Sequence, residues 1–327
     1  MKKIALITGI IGQDGPYLAK LLLEKDYKVY GMIRRYTNPN FSNTDYLGVT
    51  DRIDFVSGDM TDESSLINII KTIRPEEIYN LAAQSFVGDS WNQSKVTTEI
   101  NAMGVLYFLN AVRYFSPNAR FYQASTSEMF GNSHEKGLQT EKTPFHPRSP
   151  YAIAKLYAYW ITNNFKESHG MFCANGILFN HESPIRGMEF VTRKISDGVA
   201  RISLGLSNEI RLGNLDSKRD WGFSGDYVEA MWLILQQKEP ENFIISTGET
   251  HTIRDFLDAA FGQVNIKDWE KYIKIDPRYI RPADVLALHG KSDKAKTLLG
   301  WEPKVKFEEL VKMMVDADIE RLSQKND

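Results

Sequence analysis

Residues 3–15 read KIALITGIIGQDG, and this stretch decides the fold. Residues 3–8 are an apolar run of the kind found in a strand buried on both faces of a parallel sheet. Gly9, Gly12 and Gly15 follow, and residues 17–24 then take helical spacing with Leu18, Leu21 and Leu22 on one side. Glycines between strand and helix let the backbone approach a pyrophosphate, and the helix N-terminus supplies amide donors and a favourable dipole. The same triplet also suits a plain tight turn. Strand, turn and helix stand in the order a βαβ unit needs, which favours a dinucleotide cradle made of Gly9, Gly12, Gln13, Asp14 and Gly15.

Moving outward, further strands are expected at 28–33, 53–57, 77–81, 120–124 and 172–179, with helices at 62–73, 96–114 and 151–168. This alternation predicts an α/β chain with a Rossmann-type, doubly wound parallel sheet and right-handed crossovers. After about residue 180 the rhythm loosens. Helices are expected at 191–204, 225–237, 253–261 and 307–323, with short strands near 210–212 and 243–245. The expected division is a dinucleotide-binding domain over 1–179, rejoined by part of 215–247, and a smaller mixed α/β substrate lobe over 180–327. Residues 181–187 and 275–284 read as irregular, and 36–46, YTNPNFSNTDY, as a polar loop after the second strand.

Composition sets outer bounds. The 327 residues are 42% hydrophobic and 25% charged with a net charge of −2, which argues against a nucleic-acid binder. One cysteine, Cys173, excludes an internal disulfide and any multi-cysteine metal site, and fits a reducing cytoplasm. No metal is expected. No run approaches the ~18 apolar residues of a membrane span. The basic-then-apolar start imitates a secretion signal, but it lacks a small-residue cleavage site and is broken by Gly9, Gly12 and Asp14. It reads as a first strand.

The end of the second strand bears on the cofactor. An NAD site places an acidic residue there for the ribose hydroxyls. Here the sequence is GMIRR, ending in Arg34 and Arg35. Two guanidiniums suit a 2′-phosphate, so NADP is the expected cofactor. A solvated basic pair is the bland alternative.

Tyr151 and Lys155 have YxxxK spacing, which puts phenol and ammonium on one helix face. The nearby charge is expected to lower the phenol toward working pH, making Tyr151 a general acid/base for a carbinol proton. A bare YxxxK is common by chance. This one lies downstream of a nucleotide cradle and of a strand ending in Ser125 and Thr126, either of which can bond the substrate oxygen; a strand-end cap is the other role open to them. Glu128, in STSEMFG (125–131), follows two residues later. A simple dehydrogenase or 4-epimerase needs no further base there. A sugar 4,6-dehydratase does: the C4 ketone acidifies the C5 hydrogen, which must be removed, and the C6 hydroxyl must be protonated to leave. The alternative is a loop-start carboxylate facing water.

TGIIGQDG, LAAQSFV, QASTSEMFG, SPYAIAKLYAYWIT, NGILFNHESPIRG and RDWGFSGDYVEAMW together resemble the GDP-mannose 4,6-dehydratases, within the extended short-chain dehydrogenase/reductase superfamily. The resemblance runs from residue 3 to about residue 320. It implies GDP-mannose as substrate, GDP-4-keto-6-deoxy-mannose as product, NADP as cofactor and a homodimer or homotetramer. It implies a catalytic group of Thr126, Glu128, Tyr151 and Lys155. Asp59 and Met60 would flank the adenine, while Leu81, Ala82, Ala83, Ser85 and Ala124 would line the ribose and nicotinamide side with Tyr151 and Lys155. Asn180, His181, Glu182 and Arg186 would surround cofactor and substrate. Ser85, Glu128 and Asn180 would touch the sugar, and Lys194, Arg219 and Arg281 the GDP. Two stretches depart from the family's habit: Ile11 stands where Thr is frequent, and Tyr36-Thr37-Asn38 where serines commonly follow the arginines. A dehydratase of another GDP-sugar such as a heptose, a GDP-4-keto-sugar reductase and a non-catalytic nucleotide sensor are the competing readings. Glu128 argues against the reductase, and the intact Tyr151–Lys155 pair against the sensor.

Overall fold

The computed structural model describes residues 2–35, 38–133, 137–279 and 285–324; Arg281, Tyr36 and Thr37 lie outside the described residues. β1 (Ile4–Thr8) leads through the glycine turn into α1 (Asp14–Glu24). There follow β2 (Lys28–Ile33), α2 (Ser42–Tyr46), β3 (Asp54–Ser57), α3 (Glu63–Ile73), β4 (Glu77–Asn80), α4 (Ser94–Thr98), α5 (Gly104–Phe115), β5 (Arg120–Thr126), α6 (Pro150–His169) and β6 (Cys173–Leu178). The later half contains β7 (Asn180–Glu182), α7 (Val191–Ser203), β8 (Ile210–Leu212), β9 (Lys218–Arg219), β10 (Trp221–Phe223), α8 (Ser224–Gln236), β11 (Phe243–Ile245), β12 (His251–Thr252), α9 (Ile253–Gln263), β13 (Ile273–Ile275) and α10 (Phe307–Ser323).

Seven strands pair in the order β11-β6-β5-β4-β1-β2-β3, every neighbour parallel, which is the expected doubly wound sheet. The chain first runs from β1 out to β3 and then returns to β4 on the other side. The crevice at the carboxyl ends of β1 and β4 is therefore the topological switch point, where ligands bind in such sheets. Both faces are covered. Leu18 and Leu22 of α1 and Met231 and Ile234 of α8 bury one face, and Leu66, Ile70, Phe108, Leu109 and Ala158 of α3, α5 and α6 bury the other. A separate core joins α7, α9 and α10 through Ile195, Phe256, Phe261, Leu310 and Met314.

Two expectations change. The helix expected at 96–114 is interrupted: a π-helical turn over Glu99–Met103 separates α4 from α5. Residues 181–187, read as irregular, begin inside β7, which pairs in parallel with β10. This pair, antiparallel β9–β12 and parallel β8–β13 are strands of two or three residues, too short for alternation to show in the sequence. No helix among the described residues is long and apolar enough to cross a membrane, and they contain no group of three or more side chains able to hold a metal ion.

Candidate active site

One cleft of about 1180 Å³ runs from the glycine turn, along the carboxyl ends of the strands, to residues of the C-terminal part. It exceeds the ~300–1,000 Å³ of an ordinary small-molecule site, leaving room for two nucleotides end to end.

The glycine turn is built for close approach. Gly9 has φ +69°, and a Cβ there would stand 2.9 Å from the backbone nitrogen of Ala82. A Cβ at Gly15 would lie 2.5 Å from the Ile10 Cα, so only glycine lets α1 start this close to β1. Thr8 fixes the facing loop, its Oγ1 accepting from the amides of Leu81 and Ala82 at 3.1 and 3.0 Å and donating to Asn80 Oδ1 at 2.7 Å. Asn43 of α2 braces the turn from outside, donating to the carbonyls of Ile11 and Gly12 at 3.1 and 3.0 Å. Ile11 packs against the core beneath the loop. Turn, switch-point crevice and adjoining cleft fit the pyrophosphate of a dinucleotide.

Two of the cradle residues that line the cleft are also tied to the protein. Asp14 is partly buried, with Oδ2 2.8 Å from His181 Nε2 and Oδ1 accepting from Ser224 Oγ at 2.8 Å. His181 Nδ1 donates to the Phe179 carbonyl at 2.8 Å, and its ring stacks on Tyr227 at 4.6 Å. A carbonyl only accepts, so Nδ1 carries a proton, and the Asp14 carboxylate at Nε2 favours the charged imidazolium. Burial disfavours both charges, yet each more than offsets it for the other: His181 is raised, and Asp14 is held at about 2. Gln13 joins the clasp, donating to the His181 carbonyl at 3.0 Å and accepting from Ser183 Oγ at 3.0 Å.

Along the cleft, Arg34 lines the wall just past the end of β2; both arginines are exposed, and Arg35 is not among the lining residues. Asp59, Met60, Leu81, Ala82, Ala83, Ser85 and Ala124 all line it as expected. Asn101, on the π-turn, exchanges two hydrogen bonds with the backbone of Gln84 at 2.8 and 2.9 Å and so holds the loop after β4. Thr8, Asn43, Asn101 and Ser224 were missed by the sequence reading. Thr8 alone carried a signal there, as a polar residue closing an apolar strand.

STSEMFG turns out to be a fitted corner. Thr126 Oγ1 accepts from the Glu128 amide at 3.2 Å, capping a 3₁₀ turn over Ser127–Phe130. Met129 and Phe130 are fully buried against Ile177 and Phe179. Gly131 closes the turn at φ +54°, where a Cβ would collide with the His146 carbonyl at 1.9 Å. The apolar pair anchors the turn while Glu128, largely buried, lines the cleft. Ser125 also lines the cleft, but its hydroxyl donates to Asn175 Oδ1 on β6 at 3.1 Å, a bond between neighbouring strands and not the strand-end cap that the sequence left open.

α6 opens with Ser149 as cap, its Oγ accepting from the Ala152 amide at 3.1 Å, and Pro150 at the first position. Tyr151 and Lys155 are thereby placed one turn apart, both buried and both on the cleft. The expected electrostatics are overturned. Lys155 Nζ lies 6.0 Å from the Tyr151 ring centre and donates to the Ala124 carbonyl at 2.9 Å. Burial pushes the phenol up to about 12, with the Glu128 carboxylate adding to the rise and the Thr126 hydroxyl opposing it. Burial likewise lowers the Lys155 ammonium to about 8.

Beyond the catalytic corner, Asn180 lines the cleft with a buried Oδ1 that has no protein partner, an acceptor suited to a ligand donor. Arg186 Nε lies 3.0 Å from Glu182 Oε2 as a charge contact without hydrogen-bond geometry, and its guanidinium stacks 3.5 Å over Phe190. Lys194 lies 3.6 Å over the Tyr279 ring, and Arg219 donates to the carbonyls of Lys218 and Val285 at 2.9 and 2.8 Å. Both line the outer cleft, joined there by Arg278. These cations suit a diphosphate.

The sequence profile of a family described as GDP-mannose 4,6 dehydratase matches residues 6–314. GDP-mannose 4,6 dehydratase 1 of Arabidopsis thaliana is 50% identical to the chain, covering 98% of it and 90% of the relative. The GDP-mannose 4,6 dehydratase of Homo sapiens is 47% identical, covering 98% and 92%. Among solved structures, the dTDP-glucose 4,6-dehydratase DesIV of Streptomyces venezuelae, crystallised with NAD, superposes with a TM-score of 0.86 at 23% identity over 98% of both chains, a likeness of fold.

Proposed function

The chain belongs to the GDP-mannose 4,6-dehydratase family, and from that premise we propose that it eliminates water from GDP-mannose to give GDP-4-keto-6-deoxy-mannose, with NADP as resident cofactor. The observation that carries the reading is the corner at Thr126 and Glu128. A buried carboxylate shares the cleft with Tyr151 closely enough to raise its phenol. A hydride-transfer enzyme without elimination has no use for it.

When bound, the nicotinamide supplies a hydride acceptor for C4 and a hydride donor for C6. Tyr151 takes the C4 hydroxyl proton, and the Thr126 hydroxyl, near enough to that phenol to lower it, orients the same oxygen. Lys155, tied to the Ala124 carbonyl, positions the ribose side and places a positive charge beneath the site. Glu128 removes the C5 proton once C4 is a ketone, and hands a proton to the C6 hydroxyl, which leaves as water. Arg34 on the cleft wall supports the 2′-phosphate, and hence NADP over NAD. Lys194, Arg219 and Arg278 take the GDP diphosphate and guanosine end, and Asn180 accepts from a substrate hydroxyl. The dinucleotide belongs to residues 1–179 with the returning α8 and β11, and the GDP-sugar to the lobe that follows.

Ile153, Tyr157 and Trp160 form an exposed stripe at i, i+4 and i+7 on α6, 58%, 39% and 57% accessible. Such a stripe supports a homo-oligomer joined along this helix. A single, buried cysteine is in keeping with a cytoplasmic enzyme.

The test is incubation of the purified protein with GDP-mannose and no added nicotinamide. The expected result is a 4-keto sugar nucleotide, with NADP recovered from the denatured protein. Accumulation of NADPH in step with turnover would instead mark a dehydrogenase.

A further inference from the structure

The last helix carries a buried carboxylate that the mechanism does not use. Asp318 of α10 is fully buried against α7. Arg193 Nε donates to both of its oxygens at 3.0 Å, Arg193 Nη2 lies 2.7 Å from Oδ1, and Ser196 Oγ donates to Oδ2 at 2.7 Å. Arg321, one turn further along α10, donates to Oδ1 as well. A helix-to-helix ion pair needs nothing more than these contacts. Yet both arginines send their remaining donors to one short segment. Arg193 Nη1 donates to the Arg186 carbonyl at 2.9 Å, and Arg321 Nη2 donates to the Pro184 carbonyl at 2.9 Å. That segment is a tight turn, closed by the Arg186 amide on the Ser183 carbonyl at 3.0 Å, and Ser183 Oγ donates to Gln13 of the glycine turn. It delivers the Arg186 guanidinium to the cleft.

We infer that Asp318, Arg193 and Arg321 are positioning residues: one carboxylate orients two guanidiniums, which hold the 184–186 backbone so that Arg186 meets the bound dinucleotide. The planar fork of arginine makes this possible, because one edge pairs with the carboxylate while another N–H reaches a carbonyl. Lysine at either place lacks that fixed fork and cannot hold both partners in the same geometry. The inference rests on the reading above that a nicotinamide dinucleotide occupies the cleft.

The experiment measures NADPH affinity by fluorescence titration, independently of turnover. Four proteins are compared: parent, Arg321→Lys, Arg186→Ala and the double variant, each with its thermal midpoint recorded. Arg321→Lys keeps the charge beside Asp318 and gives up the Pro184 contact. The expected result is about tenfold weaker NADPH binding with an unchanged midpoint, and a further change under about twofold when Arg186 is already alanine, since residues acting through one another are not additive. Arg193→Lys, which gives up the Arg186 carbonyl, is read in the same way should Arg321→Lys lower the midpoint. An affinity within about twofold of the parent in both lysine variants overturns the inference, as does an equal loss in both backgrounds, which marks a merely structural pair. A parent protein that binds neither NADPH nor NADH overturns the cofactor reading itself, and this inference with it.

Discussion

Asp14→Asn tests the clasp between the glycine turn and β7. The substitution keeps the shape and removes the charge, leaving the partly buried His181 without its counter-ion. Asp14 is held at about 2 against an ordinary 3.8, which corresponds to about 2 kcal/mol of stabilisation of the ionised form. Across 327 residues, with roughly 2 cal/mol/K of unfolding entropy each, the midpoint should fall by roughly 3 °C. The sign of the pH dependence follows from the two directions. The depressed carboxyl contributes stability that is complete above 3.8 and lost as pH falls through about 2. The raised imidazole contributes stability that is complete below 6.5 and lost as pH rises through its folded value. The pair is therefore worth most between these limits.

The assay is calorimetric or fluorescence-detected unfolding of parent and variant at pH 6 and pH 9, at matched ionic strength. The gap between the two proteins is expected near 3 °C at pH 6 and to narrow as the pH rises through the folded value of the imidazole. Taking the difference cancels titrations common to both proteins. A gap under about 1 °C at pH 6 would refute the ion pair as a stabilising element. A gap that widens as the pH is raised would refute the imidazolium.

Glu128→Gln should bind GDP-mannose with little change and lose dehydration by ~10²–10⁴-fold, measured by product formation; near-parental turnover would remove Glu128 from the proton transfers. Arg34→Ala should weaken NADPH by about tenfold while leaving NADH within about twofold, and equal losses for both would end the 2′-phosphate assignment. Gly9→Ala places a side chain at φ +69° and 2.9 Å from the Ala82 nitrogen, so the purified variant should carry no nucleotide, and full occupancy would contradict the close approach. Turnover should fall as pH rises through about 8, where Lys155 loses its proton, and a flat profile to pH 9.5 would show that its charge is dispensable.

Most of the central sheet was legible because β1, β2, β5 and β6 are five to seven residues long and rich in apolar residues, and α3, α5 and α6 are long enough to show their period. β2 and α10 fall where the spacing puts them. What escaped were features whose causes lie elsewhere in the chain. The π-turn over Glu99–Met103 leaves no local mark, and Asn101 matters because the loop after β4 comes to meet it. β7 is three residues long and owes its form to pairing with β10, about forty residues later. Site residues named by type and place reached the cleft with few exceptions. Their partners could not be read, since YxxxK fixes which face two side chains share but not how deeply that face is buried.

Depth is what reverses the Tyr151 expectation, and it also defines the chemical problem that the cleft has to solve. Burial penalises the phenolate and the ammonium alike, moving Tyr151 up to about 12 and Lys155 down to about 8. With Glu128 nearby, the protein by itself therefore favours a neutral phenol, the wrong form to accept a proton from a sugar hydroxyl. A positive charge brought close to the phenol would oppose both effects, and an oxidised nicotinamide carries one. On the proposed function, Tyr151 would be a competent base with an oxidised cofactor in the cleft, and would rest as the neutral phenol without that charge. The same phenol is then ready to give its proton back. Coupling the base to the charge of the bound cofactor, more than to the fixed lysine, suits a reaction in which hydride leaves and returns within one turnover.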